Sequence, residues 1–77
     1  MSVYAVSEKT NKDLDNRFSY HPVKDDQGER YELTRERFRD LADYLTHQCP
    51  ESRELSLALT NLEQAQFWAN ASIARNE

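Results

Sequence analysis

From Tyr31 onward the less polar positions Tyr31, Thr34, Phe38, Leu41 and Leu45 recur at spacings of three and four, with Ala42 beside them. That is the period of one helix face, and not the alternation of a strand. The helix is expected to open near Asp26, where Asp25 or Asp26 can accept from the free amides and Glu29 faces the positive end of the dipole. It should stop before Cys49-Pro50, because proline disfavours helical geometry in the residue before it. Pro50 then suits the first turn of a second helix, with Glu51 beside it. From there to about Arg75 the chain has no Gly or Pro, and Leu55, Leu59, Leu62, Ala69 and Ile73 keep a four-three pattern broken only by Gln66. Two helices of about 26–48 and 50–75, joined by so few residues, must run antiparallel.

The fold class expected is therefore all-α: a long antiparallel helical hairpin over residues 17–77, preceded by a short N-terminal helical or extended arm. Residues 1–16 are polar after Val3-Tyr4-Ala5-Val6 and read as a flexible, frayed arm with a helical turn near Asp13–Phe18. Ala58, Ala65, Ala69 and Ser72 form a line of small residues, the expected packing seam of the second helix. Leu57, Phe67 and Trp68 point away from it. A two-helix hairpin has one interface and cannot cover large side chains on several faces, and surplus apolar surface marks a protein contact. A homo-oligomer is the expected assembly.

Composition sharpens this. With 77 residues, 38% apolar and 31% charged, the chain makes one small domain with a thin core, of the size that commonly needs a partner to hold together. A single cysteine, Cys49, excludes an internal disulfide and suits a reducing compartment. No apolar run approaches a membrane span, and nothing at Met1 reads as a signal peptide, so a soluble cytosolic protein without membrane association is expected.

The net charge is −4, carried wholly by the half beyond residue 39. Duplex nucleic acid requires a strong basic field, so a polymeric nucleic-acid partner is not expected. A small anion needs only a few cations, and Arg30, Arg35, Arg37 and Arg39 lie close together. Metal and catalytic chemistry find little support. His21, His47 and Cys49 are too few for a structural zinc site, so no metal and no cofactor are expected. Cys49 has no glycine-rich elbow, Gly28 is the only glycine, and no catalytic residue stands out; the chain does not read as an enzyme.

Aromatic and arginine residues remain. Phe18, Tyr20 and His21 cluster ahead of the first helix, and Arg35 and Arg39 share a helical face. Stacked rings and guanidinium groups hold nucleobases and phosphates without a metal. Each has a plainer role as well: Tyr20 as a staple between arm and hairpin, the arginines paired with Glu32 or Glu36. Arg75 fits a helix C-terminal cation or an anion ligand at a symmetry axis. Asn61 and Asn70 fit interhelical hydrogen bonds, and Trp68 an interface anchor.

The run Ser52-Arg53-Glu54-Leu55-Ser56-Leu57-Ala58-Leu59-Thr60-Asn61-Leu62-Glu63-Gln64-Ala65, continued by Phe67-Trp68-Ala69-Asn70-Ala71-Ser72-Ile73-Ala74-Arg75-Asn76, resembles the hairpin domain of phage anti-CBASS cyclic-oligonucleotide sponges. Arg17-Phe18-Ser19-Tyr20-His21-Pro22 and Gln27-Gly28-Glu29-Arg30-Tyr31 are similar to the segment that leads into that hairpin. The resemblance spans about residues 17–77. It implies a hexamer of helical protomers, acting in the cytoplasm of the infected bacterial host. Such sponges hold cyclic dinucleotides in pockets shared between protomers, and several hold cyclic trinucleotides in separate pockets. They sequester the immune signal without degrading it, which blocks activation of CBASS effectors. A related group, directed against Thoeris defence, shares the hairpin and captures cyclic ADP-ribose isomers.

Residue by residue, the resemblance implies that Tyr20 stacks on a base and Arg35 faces the dinucleotide phosphates, where the family usually carries lysine. It implies that Arg75 serves the trinucleotide pocket. His21 and Lys24 join the candidate ligand-binding set through their proximity to Tyr20, and Arg39 through its shared face with Arg35. Two alternatives stand beside this reading. One is a sponge for Thoeris signals of the cyclic ADP-ribose type. The other is a helical module that docks on a host protein through Leu57, Phe67 and Trp68.

Overall fold

The computed structural model describes residues 3–77 and contains, among them, three helices and no strand. Helix α1 spans Glu8–Arg17, α2 Gln27–Gln48 and α3 Arg53–Asn76. α2 and α3 form the antiparallel hairpin that their periodicity predicts. At about 1.5 Å per residue they are rods of roughly 33 and 36 Å. The described chain measures 51 × 36 × 14 Å, so its thinnest dimension is little more than one helix diameter. No helix among the described residues is long and apolar enough to cross a membrane.

The N-terminal region differs from its expectation. Residues 8–17 form a regular helix instead of a frayed arm with one turn. Ser7 caps it, its hydroxyl accepting from the Thr10 amide at 3.1 Å. Lys12–Glu8 and Arg17–Asp13 pairs at 3.4 and 2.9 Å brace its exposed surface. The apolar period does not reveal α1, because it has no buried residue. Its signals are the cap and the i,i+4 ion pairs. Met1 and Ser2, the start of the expected arm, lie outside the described residues.

The entry to α2 is also built differently. Asp26 stands at the N-cap, but its side chain makes no capping hydrogen bond; it pairs with Arg30 at 3.1 Å instead. Gln27 supplies the local order. Its amide donates to the Lys24 carbonyl at 3.0 Å and its Oε1 accepts from the Lys24 amide at 3.2 Å. The turn between them needs a positive φ of 52° at Asp25, a left-handed conformation that aspartate tolerates better than most residues.

The second helix begins later than its proline suggests. Pro50 lies outside α3, and Ser52 is the cap, accepting from the Leu55 amide at 3.1 Å. A serine acceptor satisfies an orphan amide, whereas a proline in the first turn merely avoids creating one.

The seam follows the four-three pattern of α3 more than the line of its small residues. Leu55 is buried, and Leu59, Leu62, Gln66, Ala69 and Ile73 are half-buried along one face. Of the small-residue line, Ala58 and Ala69 are half-buried while Ala65 and Ser72 are exposed, so only part of it meets the contact. Facing α3, α2 contributes Tyr31, Thr34, Phe38, Ala42 and Leu45; Leu41 is displaced to the outside at 43% exposure. Among the described residues only Leu55 and Gln27 are buried, and no side chain is fully enclosed. Leu57, Phe67 and Trp68 point outward, as their positions predict, at 47%, 59% and 66% exposure.

Candidate functional site

The open end of the hairpin, opposite its turn, brings the start of α2 against the end of α3. A charged clasp joins them. Arg30 holds the Glu77 carboxylate with both terminal nitrogens, one at 2.8 Å. Gln27 Nε2 donates to the same carboxylate at 3.2 Å, and Lys24 Nζ donates to the Glu77 backbone carbonyl. The Arg30 hydrogen bond, followed by that of Gln27, lowers the Glu77 carboxyl from its ordinary 4.5 to about 2. Arg30 is correspondingly raised above its usual range by Glu77, with Asp26 adding to the effect against desolvation.

His21 ties the segment before α2 to α1. Its Nε2 lies 2.7 Å from the Asn16 carbonyl. A carbonyl only accepts, so Nε2 carries the proton and Nδ1 is left as an acceptor when the ring is neutral. This histidine, and not Tyr20, is the staple between α1 and the hairpin. Tyr20 projects outward at 88% exposure.

From this end a series of shallow grooves runs along the hairpin, each sharing a basic residue or histidine with the next. One of about 310 Å³ is lined by His21, Pro22, Lys24, Ala74, Arg75 and Glu77. His21 also borders one of about 330 Å³ with Tyr31, Arg35, Asn70, Ala71 and Ala74. Arg35 continues into a groove of about 460 Å³ with Phe38, Arg39, Leu59, Leu62 and Gln66. Arg75 borders two further grooves beside Trp68, one of which also includes Arg17 and Phe18 of the α1 end.

Five of the six sequence candidates thus line grooves that share walls: Lys24, His21, Arg75, Arg35 and Arg39. Tyr20 lines none of the five grooves. Among the groove residues, Lys24 is engaged by the Glu77 carbonyl, and Arg39 pairs with Asp43 at 3.1 Å, not with Glu32 or Glu36. Arg35 forms no ion pair among the described residues. No group of three or more His, Cys, Asp or Glu side chains among the described residues is placed to hold a metal ion.

The clasp is the feature that sequence reasoning missed, although its signal was available. An antiparallel hairpin with a turn at 49–52 sets residues 27–30 opposite the end of α3, and Arg30 and Glu77 are complementary there. Asn70 was missed as a groove residue. Among the described residues it makes no interhelical hydrogen bond, and its buried Oδ1 has no partner there.

Comparison with known proteins gives one result. The family described as "Acb2/Tad1, hairpin domain" matches residues 10–74, which takes in most of α1 as well as the hairpin. No curated protein and no solved structure gives a significant match. The chain belongs to the Acb2/Tad1 hairpin family, the anti-CBASS and anti-Thoeris sponges of cyclic oligonucleotide signals.

Proposed function

We propose that this protein captures cyclic dinucleotides, and cyclic trinucleotides at a second site, and withholds them from CBASS effectors in the cytoplasm of an infected bacterium. The family match over residues 10–74 carries the reading. The physical support is that His21 and Arg35 line one groove, and His21, Lys24 and Arg75 line another. A cyclic dinucleotide carries two phosphates held a fixed distance apart, so it suits separated cations better than one concentrated patch. Guanidinium groups meet phosphate oxygens with charge-assisted, two-pronged hydrogen bonds. Arg35 is the cation best suited to this, because it forms no ion pair with a carboxylate among the described residues.

Tyr20 completes the site from another chain. At 88% exposure it covers nothing on its own hairpin, and a ring held out in this way can close over a base bound in a neighbouring protomer's groove. Assembly, expected as a hexamer, therefore builds the pocket. Binding then stabilises the assembly by mass action. Capture needs no nucleophile, and a nanomolar site corresponds to about −12 kcal/mol of binding free energy.

The second reading is a sponge for cyclic ADP-ribose signals of Thoeris defence, favoured by the same family match, which covers both groups. Titration calorimetry with a cyclic dinucleotide, a cyclic trinucleotide and a cyclic ADP-ribose isomer separates the two. The expected result is tight, saturable heat with the dinucleotide, and ligand recovered intact after denaturation. Tyr20→Ala should abolish that heat while the oligomer persists. Unchanged capture by the variant would remove Tyr20 from the site, and binding of the cyclic ADP-ribose isomer alone would replace the first reading by the second.

A further inference from the structure

His21 stands where the segment ahead of α2 meets two grooves. Its half-buried ring lines one of them with Tyr31 and Arg35, and the other with Lys24 and Arg75. One ring nitrogen is committed: Nε2 donates to the Asn16 carbonyl of α1 at 2.7 Å. That bond fixes the tautomer, so Nδ1 of the neutral ring carries a lone pair and no proton. Nδ1 makes no hydrogen bond among the described residues. Asn70 Oδ1 is the one buried side-chain polar atom among them that lacks a partner. The unbonded Nδ1 is therefore open to solvent, and a ligand in either groove can reach it.

We infer that His21 is a specificity-determining residue whose Nδ1 accepts from a ribose 2′-hydroxyl of the bound cyclic dinucleotide. The inference rests on the cyclic-nucleotide reading above and adds to it a choice of sugar. The oxygens of an ionised phosphodiester only accept, and so does Nδ1 of the neutral ring. The imidazole that shares a groove with Arg35 thus needs a different part of the ligand, one that donates. In a ring closed by 3′,5′ linkages the 2′-hydroxyl is free, and its carbon is bonded to the carbon that bears the phosphate ester. A phosphate held by Arg35 therefore brings a hydroxyl donor into the same groove. The base amines lie across the sugar, beyond the glycosidic bond. The 2′-hydroxyl is also the group by which a protein separates a ribonucleotide from its deoxy counterpart. The Asn16 carbonyl holds the ring in this orientation, which gives α1 a part in the site.

The experiment uses the full chain and four probes: 3′,5′-linked cyclic di-adenylate and cyclic di-guanylate, each with its 2′-fluoro analogue. Fluorine in place of both free hydroxyls preserves the sugar pucker and cannot donate. Each probe is titrated into wild type, His21→Asn and His21→Gln. The asparagine amide ends near the position of Nδ1 and can present an acceptor there without reaching Asn16. The glutamine amide ends near the position of Nε2 and can donate to Asn16 with no acceptor at Nδ1. In whichever pair binds, wild type should hold the hydroxyl probe on the order of tenfold more tightly than its fluoro analogue. His21→Asn should keep most of that ratio, whereas His21→Gln should erase it and still bind the fluoro probe as wild type does. Equal binding of the paired probes by wild type overturns the assignment. So does a ratio that survives in His21→Gln, since the acceptor would then lie elsewhere. A ratio lost in His21→Asn overturns it as well, because His21 would then serve through its tie to α1. Failure of wild type to bind any of the four probes refutes the cyclic-dinucleotide reading itself, and the inference falls with it.

Discussion

Trp68→Ser separates the stability of the hairpin from the strength of its assembly. Trp68 keeps 66% of its surface exposed, and a fully buried aromatic side chain removes about 150–250 Å² from water. Some 100–165 Å² of indole therefore remains to be covered by another chain. At about 25 cal/mol per Å², covering it contributes at most about 2.5–4 kcal/mol per chain. Each 1.4 kcal/mol is a factor of ten, so losing this contact should weaken association by two to three orders of magnitude. Within the chain the change is smaller. The third of the side chain already covered, about 50–85 Å², contributes at most about 1–2 kcal/mol. Serine and tryptophan have similar helix propensities, so unfolding of a single chain should move by less than association does. Sizing with light scattering across a dilution series reads the first effect, and circular dichroism in urea reads the second. Identical masses for variant and wild type at every concentration would refute the assignment of this face to self-association. A loss of helicity at low denaturant would show that Trp68 belongs to the hairpin core after all.

Two further outcomes follow from the helix ends. Ser52→Ala removes the acceptor for the Leu55 amide and should cost about 1 kcal/mol in urea unfolding, while Ser52→Gly should cost only a few tenths. The Glu77 clasp predicts an acid limb in stability. Its carboxyl is lowered in the folded chain from 4.5 to about 2, so its contribution is complete above about pH 4.5 and is lost as the pH falls towards about 2. A carbon NMR titration should find that low midpoint in wild type and a clearly higher one in Arg30→Ala, where Gln27 still donates to the carboxylate; a wild-type midpoint near 4.5 would show that the clasp does not hold in solution.

The hairpin was legible because its two helices obey one period for six or seven turns, and because the sparse glycine and proline residues mark its ends. Side-chain competition at those ends was less legible. Pro50 and Ser52 both suit a helix start, and only the serine hydroxyl satisfies an amide. Leu41 and Ala42 compete for one seam position, and the smaller residue faces α3 where the helices approach. Ala65 and Ser72 suggested close packing by their size, but Gln66 and Ile73, one position along, face the seam instead. α1 escaped because an exposed helix has no apolar period to detect. At the candidate site, sequence could name Lys24, His21, Arg35, Arg39 and Arg75 from charge and resemblance. It could not show that shared groove walls join them, since that depends on the register between α2 and α3. Tyr20 was nameable too, but its outward position reflects the chain's path between His21 and α1.

Cys49 lies in the turn, exposed, and is the only cysteine of the chain. The length of α2 separates it from the clasp by about 30 Å. A thiol-directed dye can therefore be attached at one defined point without displacing a groove residue. The anisotropy of that dye would follow the tumbling of the whole particle, and its energy transfer to a second dye would count neighbouring chains. The turn end, whose cysteine lines none of the five grooves, thus becomes the vantage point from which capture and assembly can be watched together.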